Sequence, residues 1–132
     1  MAVQGLKTIK SNHSPQETAS RLEAAVKAKG LTVFARIDHA AGASAAGLSL
    51  RPTEVLIFGN AKGGTPLMQA GQTIGIDLPL KALVWQDASG ETWLSWNDPA
   101  WLAARHDVNG ADAVLGKLSA LLDDLAKAAT AV

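Results

Sequence analysis

The side chains best suited to chemistry in this 132-residue chain are two aspartates and two histidines set far apart: Asp38 with His39, then Asp77, then His106. An imidazole beside a carboxylate can take and return a proton near neutral pH. His39, Asp38 and His106 are therefore the candidate catalytic residues of an acid–base site, with Asp77 as the alternative carboxylate. The same residue types suit a divalent cation, but there is no H-x-H or H-E-x-x-H spacing, and no metal site is expected. The structural alternative is plain: Asp38 ends a strand, and His106 closes a short helix, where a cation suits the helix dipole.

A second group of candidates would bind rather than react. Gly59-Asn60-Ala61-Lys62-Gly63-Gly64-Thr65 joins an apolar stretch to a helix start. A phosphate loop needs Lys then Ser or Thr after its last glycine. Thr65 and Pro66 stand there instead, so a nucleotide triphosphate is not expected, whereas a weaker anion or carboxylate contact fits. The bland reading is a glycine turn with Thr65 as helix cap. Asn60 and Thr65 are candidate ligand contacts, as is Met68, which with Leu67 could line an apolar cleft or simply fill the core. Asp77 and Lys81 could stand at a pocket mouth; alternatively, Asp77-Leu78-Pro79-Leu80-Lys81 is only a strand entry kept extended by its proline.

Composition narrows the classes. The chain lacks cysteine, which excludes disulfides, thiolate metal sites and thiol nucleophiles. Twelve basic residues balance twelve acidic ones, so the field that drives nucleic-acid binding is missing and no nucleic-acid partner is expected. No stretch approaches the roughly 20 apolar residues of a membrane span, and the first residues do not read as a secretory signal. A cytoplasmic protein of one domain over residues 1–132, with no membrane partner and no cofactor, is the expectation.

The elements that must position these residues are legible from periodicity. Leu6 to Lys10 can form a short strand. Ser14, Pro15 and Glu17 make a helix start resembling a capping box, Ala19, Leu22 and Val26 share one face, and Gly30 stops the helix. Leu31 to Asp38 alternates, with Leu31, Val33, Ala35 and Ile37 opposed to Phe34, Arg36 and Asp38. Ala40 to Gly47 reads as a loop that can hold one helical turn. Glu54 to Gly59 is apolar on both faces and should be a central strand covered on both sides. Lys81 to Asp87 and Glu91 to Asn97 flank a glycine turn and read as a hairpin. Short helices are predicted at Pro66 to Ala70 and Pro99 to Arg105, each opening on a proline after an oxygen-bearing cap, Thr65 or Asp98. A last helix runs from about Ala111 to Lys127, with Asn109 as its cap and an apolar stripe from Val114 to Leu125.

The fold class expected is thus α+β, a mostly antiparallel sheet in β-α-β-β-β-β-α order with inserted short helices. Two long helices can cover only one sheet face. Either the short helices or a second copy of the chain must cover the other, since a large exposed apolar patch is unusual. All four tryptophans fall between Trp85 and Trp101; they could stack a ring-shaped ligand, but packing of the hairpin and the Pro99 helix is the simpler role.

From Asp38 to His106 an ordered set of short motifs stands out: Asp38-His39, Leu50-Arg51-Pro52-Thr53, Leu56-Ile57-Phe58-Gly59-Asn60, Gly64-Thr65-Pro66-Leu67-Met68, Asp77-Leu78-Pro79-Leu80-Lys81 and Asn97-Asp98-Pro99, closing on Leu102 and His106. This set resembles the signature of the domain of unknown function 302 family. The resemblance implies a β-α-β-β-β-β-α core, similar in outline to one repeat of the TATA-binding protein fold, without implying DNA binding. Two positions depart from the family pattern: Ala61 replaces a proline, and Trp96 replaces a phenol, so chemistry that needed that hydroxyl is not expected here.

Three functions follow as expectations, in order. The first is a small-molecule binding module with an apolar cavity and a polar rim supplied by Asn60, Thr65, Asp38 and His39. The second is an acid–base enzyme using His39 or His106 with Asp38 or Asp77. The third is an interaction protein that works as a homodimer through the second sheet face.

Overall fold

A computed structural model describes residues 2 to 132. Strand β1 (Leu6–Lys10) leads to helix α1 (Pro15–Ala28), β2 (Thr32–Asp38), α2 (His39–Ala45) and β3 (Thr53–Gly59). Helix α3 (Ala61–Ala70) and a 3-10 helix (Gln72–Asp77) precede β4 (Leu80–Gln86) and β5 (Thr92–Asn97), and α4 (Pro99–Arg105) and α5 (Asp112–Thr130) follow. The five strands form one sheet in the order β1-β5-β4-β3-β2. Every neighbouring pair is antiparallel; for β4 and β5 the short link from Gln86 to Thr92 allows no other pairing.

Helix α1 starts where its sequence says it should. The Ser14 side chain accepts from the Glu17 amide, Pro15 takes the first turn, and Ala19, Leu22 and Val26 are buried. With α5 it packs on one face of the sheet, over Leu56, Phe58, Ala82, Val84, Leu94 and Trp96. The alternation of β2 is broken by a bulge between Val33 and Ala35. One extra residue shifts the face of everything after it. Val33 stands opposite Phe58 and Arg36 opposite Leu56, so both share the helix-covered face, while Ala35 and Ile37 turn to the other. Arg36 reaches α1 there, bonding Glu54 on β3 and Glu23 on α1.

The second face carries no helix layer. Ile37, Val55, Leu83, Ser95 and Thr8 form a continuous row across it. Trp85 and Trp93 stack beside that row, ring centroids 6.2 Å apart, and the Trp85 indole donates to Ser95 Oγ at 2.9 Å. Strand β3 is thus central but covered on one side only, unlike the two-sided cover its sequence suggests. Val55 and Ile57 are half-buried by their neighbours in the sheet.

Four boundaries differ from the sequence expectation, each for a local reason. The Ala/Gly segment after β2 is helical, because the Asp38 carboxylate accepts from the Ala41 amide at 2.9 Å and nucleates α2. Helix α3 opens at Ala61, capped by Asn60, whose Oδ1 accepts from the Gly63 amide at 2.7 Å. Thr65 therefore lies inside the helix rather than at its start. Asn109 does not cap α5; its amide donates to the Asp107 carbonyl, and the helix starts after Ala111 with no side-chain cap. The 3-10 helix has no counterpart in the sequence reading.

Candidate ligand site

The helix layer is closed over the centre of the sheet and open at one end. Where β3 runs out, at Gly59, the chain turns through Asn60 into α3, and a cavity of about 540 Å³ lies between α3, the 3-10 helix and α5. Leu31, Leu78, Leu80, Leu118 and Leu121 supply apolar walls, with Met68 from α3. Phe34, the bulge residue of β2, also lines it and remains 56% exposed, so its ring is available at the mouth. Glycines keep the space empty. A Cβ on Gly64 would meet only the tips of Leu78 and Met68 at 3.6 and 3.7 Å, and one on Gly75 would press on the Met68 sulfur at 3.3 Å.

Of the predicted ligand contacts, Asn60, Thr65 and Met68 line this cavity. Lys81 does not. It alternates with Leu80 on β4, so when Leu80 faces the cavity Lys81 points away, and its ammonium donates to the Asp77 and Pro79 carbonyls. Two cations that line the cavity, Lys62 and Lys117, were not singled out from sequence. Lys117 lies next to Leu118 and one turn before Leu121, at the margin of the apolar stripe of α5, which is the signal that could have found it.

Asp77 sits one residue from the cavity wall but turns outward to α4. Its Oδ2 accepts from Arg105 at 2.6 Å and from His106 Nε2 at 2.5 Å, and His106 Nδ1 contacts Thr73 Oγ1 at 2.9 Å. A carboxylate can only accept, so Nε2 carries the proton of that bond, and Nδ1 shares a hydrogen bond with the Thr73 hydroxyl. Burial alone would raise the Asp77 carboxyl, but the hydrogen bonds from His106 and Arg105 outweigh it and hold the carboxyl below its ordinary value. The His106 side chain is only 8% exposed. Hydroxyl, imidazole and carboxylate stand in line, yet none of the three lines the cavity. Their evident effect is to tie the 3-10 helix to the C-terminal end of α4, where His106 is the capping residue.

The chain matches the sequence profile described as "Domain of unknown function DUF302" over residues 7–125. It belongs to the DUF302 family. The DUF302 protein of Bacillus stearothermophilus, described as uncharacterized and conserved, superposes with a TM-score of 0.85 at 20% identity, covering 96% of this chain and 99% of that one. This supports the fold alone. Among curated proteins, "Fluoride-specific ion channel FluC 1" of Brucella suis is 57% identical over 104 residues, 79% of this chain and 41% of that protein. "Fluoride-specific ion channel FluC 2" of Brucella melitensis is 57% identical over 104 residues, 38% of its length. The chain thus spans about two fifths of the curated relatives it matches.

Within this DUF302 fold the other predicted catalytic residues stand apart. Asp38 pairs with Glu54 at the start of β3, whereas Leu80, just after Asp77, pairs with Phe58 near its end. Four strand residues, roughly 13 Å, separate those rows. Asp38 is spent on capping α2 and His39 is exposed in its first turn. The proposed set of His39, Asp38 and His106 is therefore split, Asp38 with His39 at one end of the sheet and His106 with Asp77 at the other. No group of three or more His, Asp or Glu side chains converges among the described residues. Trp96, standing where the family pattern has a phenol, is buried on the helix-covered face.

Proposed function

We propose that this chain binds a small, mostly apolar molecule in the cavity between α3, the 3-10 helix and α5. The observation that carries this reading is the cavity itself. Its 540 Å³ falls within the roughly 300–1,000 Å³ of small-molecule sites, with apolar walls and a few polar groups at the rim. Asn60 and Thr65 contribute to that rim; Asp38 and His39 stand too far away. A direct test is titration with decanol, followed by the NMR shifts of the Met68, Leu118 and Leu121 methyls. These shift in the wild-type protein and stay still in Gly64→Leu, whose side chain would grow toward Leu78 and Met68. Unmoved methyls in the wild-type protein would overturn the reading.

The open sheet face favours a second reading, association with another copy of the chain. Ile37, Val55, Leu83 and the Trp85–Trp93 stack form an apolar surface with no helix over it, and such surfaces commonly mark interfaces. Light scattering after gel filtration tests it: Leu83→Glu converts a dimer to a monomer, and a monomeric wild-type protein ends the idea. An acid–base function has less support, since the Thr73–His106–Asp77 chain lies outside the cavity and His39 is remote. The channel names of the Brucella proteins carry little here. No helix among the described residues is long and apolar enough to cross a membrane, so a helical pore would have to lie in the part of those proteins that this chain does not match.

A further inference from the structure

We infer that the ligand of this cavity is a single-headed organic anion, an apolar chain or ring ending in one carboxylate that Lys62 and Lys117 hold at the rim. This rests on the cavity reading above and names its ligand class. The charge of the lining is one-sided: two lysines and no aspartate or glutamate. That imbalance is local, because the chain as a whole is neutral. Of the six lysines elsewhere, Lys7, Lys10, Lys27 and Lys29 each sit within 4 Å of an acidic side chain, whereas among the described residues Lys81 and Lys127 do not and do not line the cavity. Lys62 and Lys117 have no such partner among the described residues. They come from different elements, the first turn of α3 and the second turn of α5. A lysine can lay its aliphatic stem along an apolar wall and keep its ammonium at the water boundary, which suits a ligand whose body is apolar and whose head is charged. A carboxylate entering an apolar cavity is costly unless a cation meets it, and these two supply that cation.

The nature of the head follows from what the glycine segment cannot offer. A phosphate cradle needs several free backbone amides. Here the Gly63 amide is taken by Asn60 Oδ1, the Gly64 amide by the Asn60 carbonyl, and Pro66 has none, which leaves only the Ala61 and Lys62 amides at the start of α3. No arginine, the residue best shaped to grip a phosphate in two places, lines the cavity. Two lysines with so partial a cradle match a compact monoanion better than a phosphate.

Calorimetric titration with four probes of one chain length tests this: decanoate, decanol, decylamine and decyl phosphate. Decanoate binds at least about tenfold tighter than decanol, the effect of one charge-assisted hydrogen bond, and decylamine binds weakest. In the double variant Lys62→Gln/Lys117→Gln, the preference for decanoate over decanol disappears. Both lysines are exposed, and an unshifted thermal melt verifies that the variant is folded. Equal binding of decanoate and decanol to the wild-type protein overturns the anion inference and leaves the cavity reading standing. A preference for decanoate that survives in the double variant overturns the assignment to these lysines. Tighter binding of decyl phosphate overturns the carboxylate. If none of the four binds, the cavity reading falls as well.

Discussion

The helix layer has a dense half and a hollow half, built on the same sheet a few residues apart. Beneath α1 and the C-terminal part of α5, Leu22, Phe58, Trp96, Leu122 and Leu125 leave only about 10 Å³ of free space. Beneath α3 and the N-terminal part of α5 the free space is about 540 Å³. The difference is one of side-chain supply. On the dense side Leu22, Phe58, Leu94, Trp96, Leu122 and Leu125 fill the space around two alanines, Ala82 and Ala126, and interiors filled that way close to crystal-like density. On the hollow side Gly63, Gly64 and Gly75 interrupt the leucine wall, so at those points backbone stands where side chains would otherwise meet. An apolar space kept open gives up dispersion contacts, so the dense half must carry the stability that lets the other half stay empty.

The sharpest way to break that comparison is to delete a large side chain on the dense side. Phe58 is fully buried, and Phe58→Ala destabilises by about 3–5 kcal/mol in urea unfolding. A loss below about 1 kcal/mol would show the two halves to be equally loose. The strap on the hollow side comes next. Asp77→Asn loses the charge of two charge-assisted bonds that hold the 3-10 helix to α4, at about 1–3 kcal/mol near neutral pH. Because the folded carboxyl titrates below the unfolded one, its contribution is fully present above the unfolded value of about 3.9 and is lost as pH falls through the lower folded value. Stability measured from pH 7 to pH 2 therefore shows the wild-type advantage shrinking only below about pH 4. An advantage that stays constant across that range would remove Asp77 from the strap. The smallest effect belongs to the cavity wall. Leu121 is half-buried and already borders empty space, so Leu121→Ala costs about 1 kcal/mol or less, while the same change at Leu22 on the dense side costs about 2–5 kcal/mol. Equal losses at the two leucines would mean that the hollow is closed in solution.

Much of this architecture was legible before any coordinates. The cap at Ser14, the stripe Ala19-Leu22-Val26 and the hairpin around Gly90 are local signals, and each element formed where its periodicity put it. The bulge at Phe34 was not legible. One residue added to a strand leaves composition and alternation intact, and only the partner strand reveals that Arg36 faces the helices. Nor was the start of α3. Two glycines in succession argue against a helix by propensity, and it took the Asn60 cap and the enclosing wall to make them helical. The site was half readable. Asn60 and Thr65 were found because they follow a strand end, where the chain must turn, and Met68 because with Leu67 it gives the short helix an apolar edge. Lys117 was marked only by its place at the edge of the α5 stripe, and Lys62 acquires meaning only once α3 and α5 stand on either side of one space. His39 and His106 shared a residue type but lie at opposite ends of the sheet, a separation that no spacing along the chain encodes.

The placement of the tryptophans has a practical consequence. None of the four lines the cavity, so indole emission is a poor reporter of cavity occupancy. Trp85 and Trp93, stacked on the uncovered face, are instead an optical probe for that surface. Their ultraviolet circular dichroism follows what happens on one side of the sheet while methyl resonances follow the other, so a single sample can be read at two independent places.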